Sequence, residues 1–456
     1  MAIAERLAAY ALSVRYSDLD NATVTQLKLR LADAVGCALG AFGEEPVAIA
    51  RKVAQAEPGE ESTVLGTAVR TSAELATFVN GLMVRYFDFN DTYLSKEPAH
   101  PSDNFSACLA VAEREHASGK EFLTAAAVAY EIQCRLCDAA DIRHRGWDHV
   151  NYGLVSTTLA ASKLMGLDEK RTAQAVNISL SGHLAMRQVR AGELSMWKGA
   201  SFADAARNGV FAAKLAAEGM TGPAPIFEGK MGFFKQVSGP FKLDPSRFGG
   251  SGGSFKASDT YIKYWPAEYH AQTAVWAALE ARKKVKDLGE VESILVETHE
   301  AGYSILGKDR EKWHPSTKET ADHSLPFIVG MALLKGTIDN STYSDEYVKS
   351  AEVLSFLRRI SVKEDPHLTA FYPSKGMANR VTLRMRGGKE VSAEVVVPRG
   401  HPLNPMSKAD VEAKFHRLCA GVLGTGRTRE VIKGLWGVEA MGDMRGLPAL
   451  VIIRGQ

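Results

Sequence analysis

RVTLRMRGGKEVSAEVVVP, Arg380–Pro398, is two alternating runs joined across Gly387-Gly388. Apolar and polar residues trade places every second position, and two glycines supply the tight turn, so the stretch reads as a β-hairpin. VESILVETHE (291–300) and RRISVKED (358–365) alternate in the same way. Between these runs lie AEYHAQTAVWAALEARKKV (267–285) and HSLPFIVGMALLKGTI (323–338), whose apolar residues recur at three and four. Hairpin-forming strands with helices kept apart from them predict an α+β unit rather than a doubly wound sheet.

Upstream the period is helical almost throughout. ATVTQLKLRLADAVGCALGAF (22–42), GKEFLTAAAVAYEIQCRLCDAA (119–140) and LVSTTLAASKLMGL (154–167) are apolar on most faces, which predicts an interior bundle. ASFADAARNGVFAAKLAAEGM (200–220) is rich in small residues and suits close helix packing. FGGSGGSF (248–255) predicts a loop near the junction; no strand leads into it and no Lys-Ser/Thr pair follows, so it does not read as a phosphate loop. NPMSKADVEAKFHRLCAGVLG (404–424) returns to helix, with Ser407 and Asp410 spaced as a capping box. The expected fold is mainly α with an α+β second domain. A large helical domain (1–261) is interrupted by a smaller α+β domain (262–401) and completed by a C-terminal segment (402–456).

The chain has 456 residues, 45% hydrophobic and 24% charged, with a net charge of +2. That balance argues against nucleic acid or an anionic membrane as a partner. No stretch approaches the roughly 18 uninterrupted apolar residues of a membrane span, and the N-terminus does not read as a signal peptide. The five cysteines are scattered, and the lone C-x-x-C at Cys134 and Cys137 reads as two core thiols one turn apart. A cytoplasmic protein is expected.

One polar stretch interrupts the helices. RYFDFNDTYLSKEPAHPSDN (85–104) places Asp88, Asp91, Glu97, Asp103 and His100 between two apolar helical runs, with Pro98 and Pro101 on either side of the histidine. A carboxylate and an imidazole on an irregular segment held by helices are placed for proton transfer; alternatively Ser102 and Asp103 simply cap the next helix. RQVRAGELSMWKG (187–199) offers Arg187, Arg190 and Lys198 to carboxylates. YIKYWPAEYHAQTA (261–274) puts Lys263, Glu268 and His270 at the domain junction, where small-molecule sites concentrate. His149, the Asp322-His323 pair, and Arg399 with His401 each read more readily as structural. No zinc-protease, Walker, Rossmann or nucleophile-elbow motif is present, so side-chain acid–base chemistry without a metal or organic cofactor is the simplest enzymatic expectation.

Segments 80–104, 187–209, 221–234, 262–274, 321–334 and 398–415 together resemble the MmgE/PrpD family, in order and over nearly the whole chain. That family includes 2-methylcitrate dehydratase, cis-aconitate decarboxylase and iminodisuccinate epimerase. The resemblance implies a helical domain with an inserted α+β lid in a homodimer, and dehydration of a citrate-like tricarboxylate, with another family activity or silent tricarboxylate binding as the alternatives. It implies Asp88, His100 and Thr92 as catalytic residues, Asp88 and His100 being the acid–base pair in either order. Arg85, His149, Arg187, Arg190, Lys198 and Lys263 are expected to bind substrate. Phe327 stands where the decarboxylase carries a tyrosine, which points away from that activity.

Overall fold

The computed structural model describes residues 1–373 and 375–454. Its larger part is a pile of helices. Asn21–Gly40 starts from Asp20, whose carboxylate accepts from the Thr23 N–H, and Gly119–Ala139 starts from a reciprocal Ser118–Glu121 capping box. Val150–Leu164 runs through the middle; every residue from Val150 to Ser162 is buried, as its all-round apolar sequence requires. Trp197–Ala217 packs across it and against Ala73–Arg85.

The chain returns to this body at its far end. Ser407 and Asp410 form the expected capping box, and helix Lys408–Leu423 lies along Asn21–Gly40. Lys414 is the polar pin of that contact. Its Nζ lies 2.6 Å from Asp33 Oδ1 and donates to the carbonyls of Phe89 (2.6 Å) and Lys263 (2.9 Å), all in the interior. Farther on, the chain docks on the start of helix Gly119–Ala139, where the Gly119 N–H donates to the Met441 carbonyl at 2.8 Å.

The second hydrophobic core is separate and lies between residues 267 and 391. It sits under a four-stranded sheet in the order Ile360–Glu364, Val291–Thr298, Asn379–Met385, Glu390–Val395. The last two strands are the hairpin read from Arg380–Pro398, with Arg384 opposite Glu390 and both turn glycines at positive φ. The first pair is parallel, because the helical stretch between residues 298 and 360 carries the chain back across the sheet. Ile294, Val296, Val381 and Leu383 point inward onto helices Gln272–Arg282 and Leu325–Lys335. The glycine-rich stretch after Phe248 is a turn held by the buried Glu131 carboxylate, which accepts from the Gly249 and Lys256 N–H groups. Among the described residues no helix is long and apolar enough to cross a membrane, and the five cysteines are free, buried thiols.

A methyl group at residue 119 would stand 1.7 Å from the Val438 carbonyl oxygen, whereas one at residue 43 meets nothing within 4 Å. Gly119→Ala is therefore expected to lower stability by about 1–3 kcal/mol through overpacking, and Gly43→Ala to leave it nearly unchanged. Urea unfolding of the two variants checks this; equal midpoints would mean that the C-terminal segment is not docked as described.

Candidate active site

Helix Ala73–Arg85 ends where the polar stretch begins. Asp88 turns the chain by adopting φ 49°, a left-handed conformation that a non-glycine residue holds only when its surroundings enforce it. The strand-like segment after it is pinned twice. Thr92 and Tyr261 exchange backbone hydrogen bonds of 2.8 and 2.7 Å, and Tyr93 and Ala99 exchange bonds of 2.8 and 2.9 Å. The resulting small hairpin brings His100 back beside Asp91 and Thr92.

The acids of this stretch have different jobs. Asp91 accepts from the Ser102 N–H (2.9 Å) and the Tyr130 hydroxyl (2.8 Å). Glu97 accepts from the N–H groups of Ile142 and Arg143 at 2.8 and 3.0 Å. Asp103 accepts from Asn90 at 2.7 Å, and neither it nor Ser102 caps helix Phe105–Arg114. Three of the four carboxylates thus hold backbone or neighbouring side chains, Asp103 also standing 3.9 Å from Arg85 Nε, and Asp88 is the one that gathers several cations.

Those cations come from three places in the chain, and a neutral histidine joins them from a fourth. Arg85 Nη1 and Lys263 Nζ both donate to Asp88 Oδ1, Lys263 also donates to the Asp88 carbonyl at 2.7 Å, and Lys198 Nζ lies 3.4 Å from Oδ2. His323 Nε2 approaches the same oxygen at 3.5 Å. Burial alone would raise the Asp88 carboxyl; Arg85, Lys263 and Lys198 outweigh it and hold it well below the usual carboxylate range. Asp88 is an ionised anchor. Lys198 sits in the first turn of its helix, where the helix dipole disfavours a cation, and Asp322 at 2.9 Å joins Asp88 in offsetting that cost.

Above Asp88 opens a cavity of about 270 Å³ between the helical body and the α+β unit. Asp88, Thr92, His100, Arg85, His149, Arg187, Arg190 and Lys263 all line it, and Lys198 lies buried just beneath. The lining holds six lysine and arginine side chains against three carboxylates, so the space favours a polyanion. The Thr92 hydroxyl donates to the Ala99 carbonyl at 3.0 Å, so toward any further partner it can only accept.

His100 is buried with Nδ1 2.8 Å from the Asp91 carbonyl oxygen. A carbonyl only accepts, so Nδ1 carries the proton and Nε2 keeps its lone pair, which receives Arg85 Nη2 at 2.9 Å. Burial, reinforced by Arg85 and Lys263, pulls the imidazole well below its ordinary pKa, and it is neutral at pH 7. His149 lies edge-on to it, 5.5 Å between ring centres, and burial brings its pKa to about 3. Asp148 gathers this side: Arg190 Nε lies 2.7 Å from it, His149 Nδ1 3.2 Å and Arg187 Nη1 3.8 Å.

The wall from the α+β unit was the least legible in the sequence. Asp322 accepts from His323 Nδ1 at 2.6 Å, and His323, read above as structural, lines the cavity with Asp322 behind it. Burial and the Lys198 charge lower His323 to about 4. Glu268 and His270 also line the space. Arg143, Ser304, Asp309 and Lys312 do so without any sequence signal; Arg143 is delivered there by the Glu97 bond to its N–H. Donor atoms of Asp88, Asp322 and His323 lie within 4.8 Å of one another, a spacing metals use, but the Lys198 ammonium already stands against both carboxylates. Phe327 is buried against Tyr343 in the α+β core and is not among the lining residues, so the missing tyrosine hydroxyl there does not bear on the cavity. His401 packs on the Tyr261 ring and Arg399 pairs with Asp410, both outside it.

Comparison with known proteins agrees over both halves. Residues 5–246 match the MmgE/PrpD N-terminal domain and residues 265–437 the MmgE/PrpD C-terminal domain. The chain is 31% identical to a 2-methylcitrate dehydratase of Cupriavidus necator over 399 residues, covering 81% of this chain and 80% of that protein. It is 32% identical to a 2-methylcitrate dehydratase of Escherichia coli K12 over 397 residues, with the same coverage. An alkylcitrate dehydratase from a fungal species is 28% identical over 432 residues, 87% of this chain and 84% of that protein. With both halves matched in sequence order, this chain is a member of the MmgE/PrpD family.

Proposed function

We propose that the protein is a hydro-lyase that dehydrates a citrate-like tricarboxylate, 2-methylcitrate to 2-methyl-cis-aconitate, by acid–base elimination. The observation that carries this reading is a neutral imidazole whose unprotonated Nε2, held by Arg85, edges a cavity of excess positive charge. The cations hold the substrate's carboxylates and stabilise the charge that builds up as the C–H bond breaks. As a substrate carboxylate draws Arg85 off His100, Nε2 takes that proton, the C–H electron pair becomes the new double bond, and the C–O pair leaves with the hydroxyl. Lys263 supplies the proton that turns the hydroxyl into water. Burial lowers its ammonium below the ordinary lysine value, which makes it the better donor, while Asp88 keeps it charged. Asp88 is thus assigned to holding Arg85, Lys263 and Lys198 rather than to moving a proton itself.

The relatives' names support the substrate class, and the dehydratases among them support the bond cleaved. We also infer a homodimer. Its support is an exposed face of helix Trp197–Ala217, where Trp197 and Phe211 are each about half exposed, next to the exposed Met186.

Three outcomes are expected. His100→Ala lowers turnover of 2-methylcitrate by a factor of roughly 100 or more with the fold intact; absorbance of the new conjugated double bond reads this against citrate, cis-aconitate and iminodisuccinate in the same assay. Wild-type turnover in that variant would take the proton away from His100. Acidification destabilises the protein. His149, His270 and His323 are held near pKa values of about 3, 3 and 4 by burial, well under the unfolded value. Between these values and about 6.5 the unfolded chain binds more protons, so stability falls as pH drops through that window. A Tm that is flat from pH 7 to 4 would contradict the buried neutral histidines. Finally, Phe211→Glu shifts the sedimentation profile from dimer to monomer; a wild-type protein already monomeric would end the dimer inference.

A further inference from the structure

Most cations around the cavity already have a carboxylate. Arg85, Lys263 and Lys198 share Asp88, and Arg190 lies on Asp148. Lys312 is different. It lines the cavity from the α+β unit and is 6% exposed, yet among the described residues its Nζ has no hydrogen-bond acceptor and no carboxylate within 4.0 Å. The rest of the residue is fixed. Its N–H donates to the Asp309 carbonyl at 3.1 Å, and its own carbonyl accepts from the Ser324 hydroxyl, the same oxygen that caps helix Leu325–Lys335.

An ammonium whose stem is buried and which has no protein partner is only partly hydrated, from the side that faces the cavity, and that loss of water has not been replaced. Burial and the nearby Lys198 lower its pKa, yet Asp322, Asp309 and Glu268 are close enough to favour the charged form. A charged amine on a buried stem, fixed by its backbone and unpaired at the edge of an anion-favouring cavity, is a receptor for a carboxylate that arrives with the ligand. We propose that Lys312 receives one carboxylate of a polycarboxylate substrate and so ties the α+β unit to the helical body when substrate is bound. The proposal takes its substrate class from the dehydratase reading, but it does not depend on the elimination chemistry.

The test is Lys312→Met, which keeps the length of the side chain and removes the charge. Without ligand its Tm should equal or exceed that of the wild type, since an unpaired buried charge is gone. KM for 2-methylcitrate should rise by about tenfold or more, the usual worth of one charge-assisted hydrogen bond, with kcat changing by less than about threefold. The rise in Tm that citrate induces should shrink by more than half, and Lys312→Arg should recover part of both effects. A KM within about twofold of wild type together with an unchanged citrate shift overturns the proposal. So does a lower ligand-free Tm in Lys312→Met, which would mean that the amine has a structural partner. If the wild type dehydrates none of the citrates, the dehydratase reading fails by itself, and the citrate shift of wild type against variant still decides for or against Lys312.

Discussion

A single buried carboxylate organises the cavity. Asp88 collects a guanidinium from the end of its own helix, an ammonium from the junction with the α+β unit and another from the start of a distant helix. None of these charges would be stable in the interior alone. Removing water from an ammonium or a carboxylate costs several kcal/mol per ion, on the order given for real proteins after relaxation, and only close opposite charge offsets it. The cluster therefore holds together as a unit or not at all. This explains why Asp88 accepts a left-handed backbone: the turn aims its side chain at three cations at once.

The cluster also divides the positive charge of the site into two kinds. Arg85, Lys198, Lys263 and Arg190 are engaged with Asp88, Asp148 or Asp322 and set the field of the cavity. Arg187, 3.8 Å from its nearest carboxylate, and Lys312, with none within 4.0 Å among the described residues, remain available to a ligand. The neutral histidines fit the same field. Burial strips water from a protonated imidazole and the nearby cations add repulsion, so His100, His149 and His323 keep their lone pairs.

How far the sequence announced this depends on where each residue sits. The hairpin at Arg380–Pro398 and the interior helices were legible because strand and helix leave different periods, and burial of one face follows from them. Asp88, His100, Arg187, Arg190, Lys198 and Lys263 were legible because polar residues between apolar helices, or beside proline and glycine, stand out from their neighbours. Asp322 and His323 were visible but looked structural, since one Asp-His step ahead of a helix cap is common. Arg143 and Lys312 carried no signal. Each is one charge among many in an ordinary turn; Arg143 gains its position from the Glu97 bond to its N–H, and Lys312 only from the packing of a separate unit against the bundle. The division of labour among Asp88, Asp91, Glu97 and Asp103 was equally hidden, because it depends on which backbone N–H groups lie within reach.

Lys414 carries one more consequence. Its ammonium grips the carbonyls of Phe89 and Lys263 from a helix near the far end of the chain. Domains tend to fold from the N-terminus as the ribosome releases them. Until residue 414 has emerged, the Phe89 and Lys263 carbonyls lack this shared donor, and only the direct bonds of Lys263 and Tyr261 hold the Asp88–Thr92 turn to that segment. A nascent or truncated polypeptide can therefore bury much of its bundle and still lack a finished pocket, so that full-length synthesis and competence for ligand arrive together.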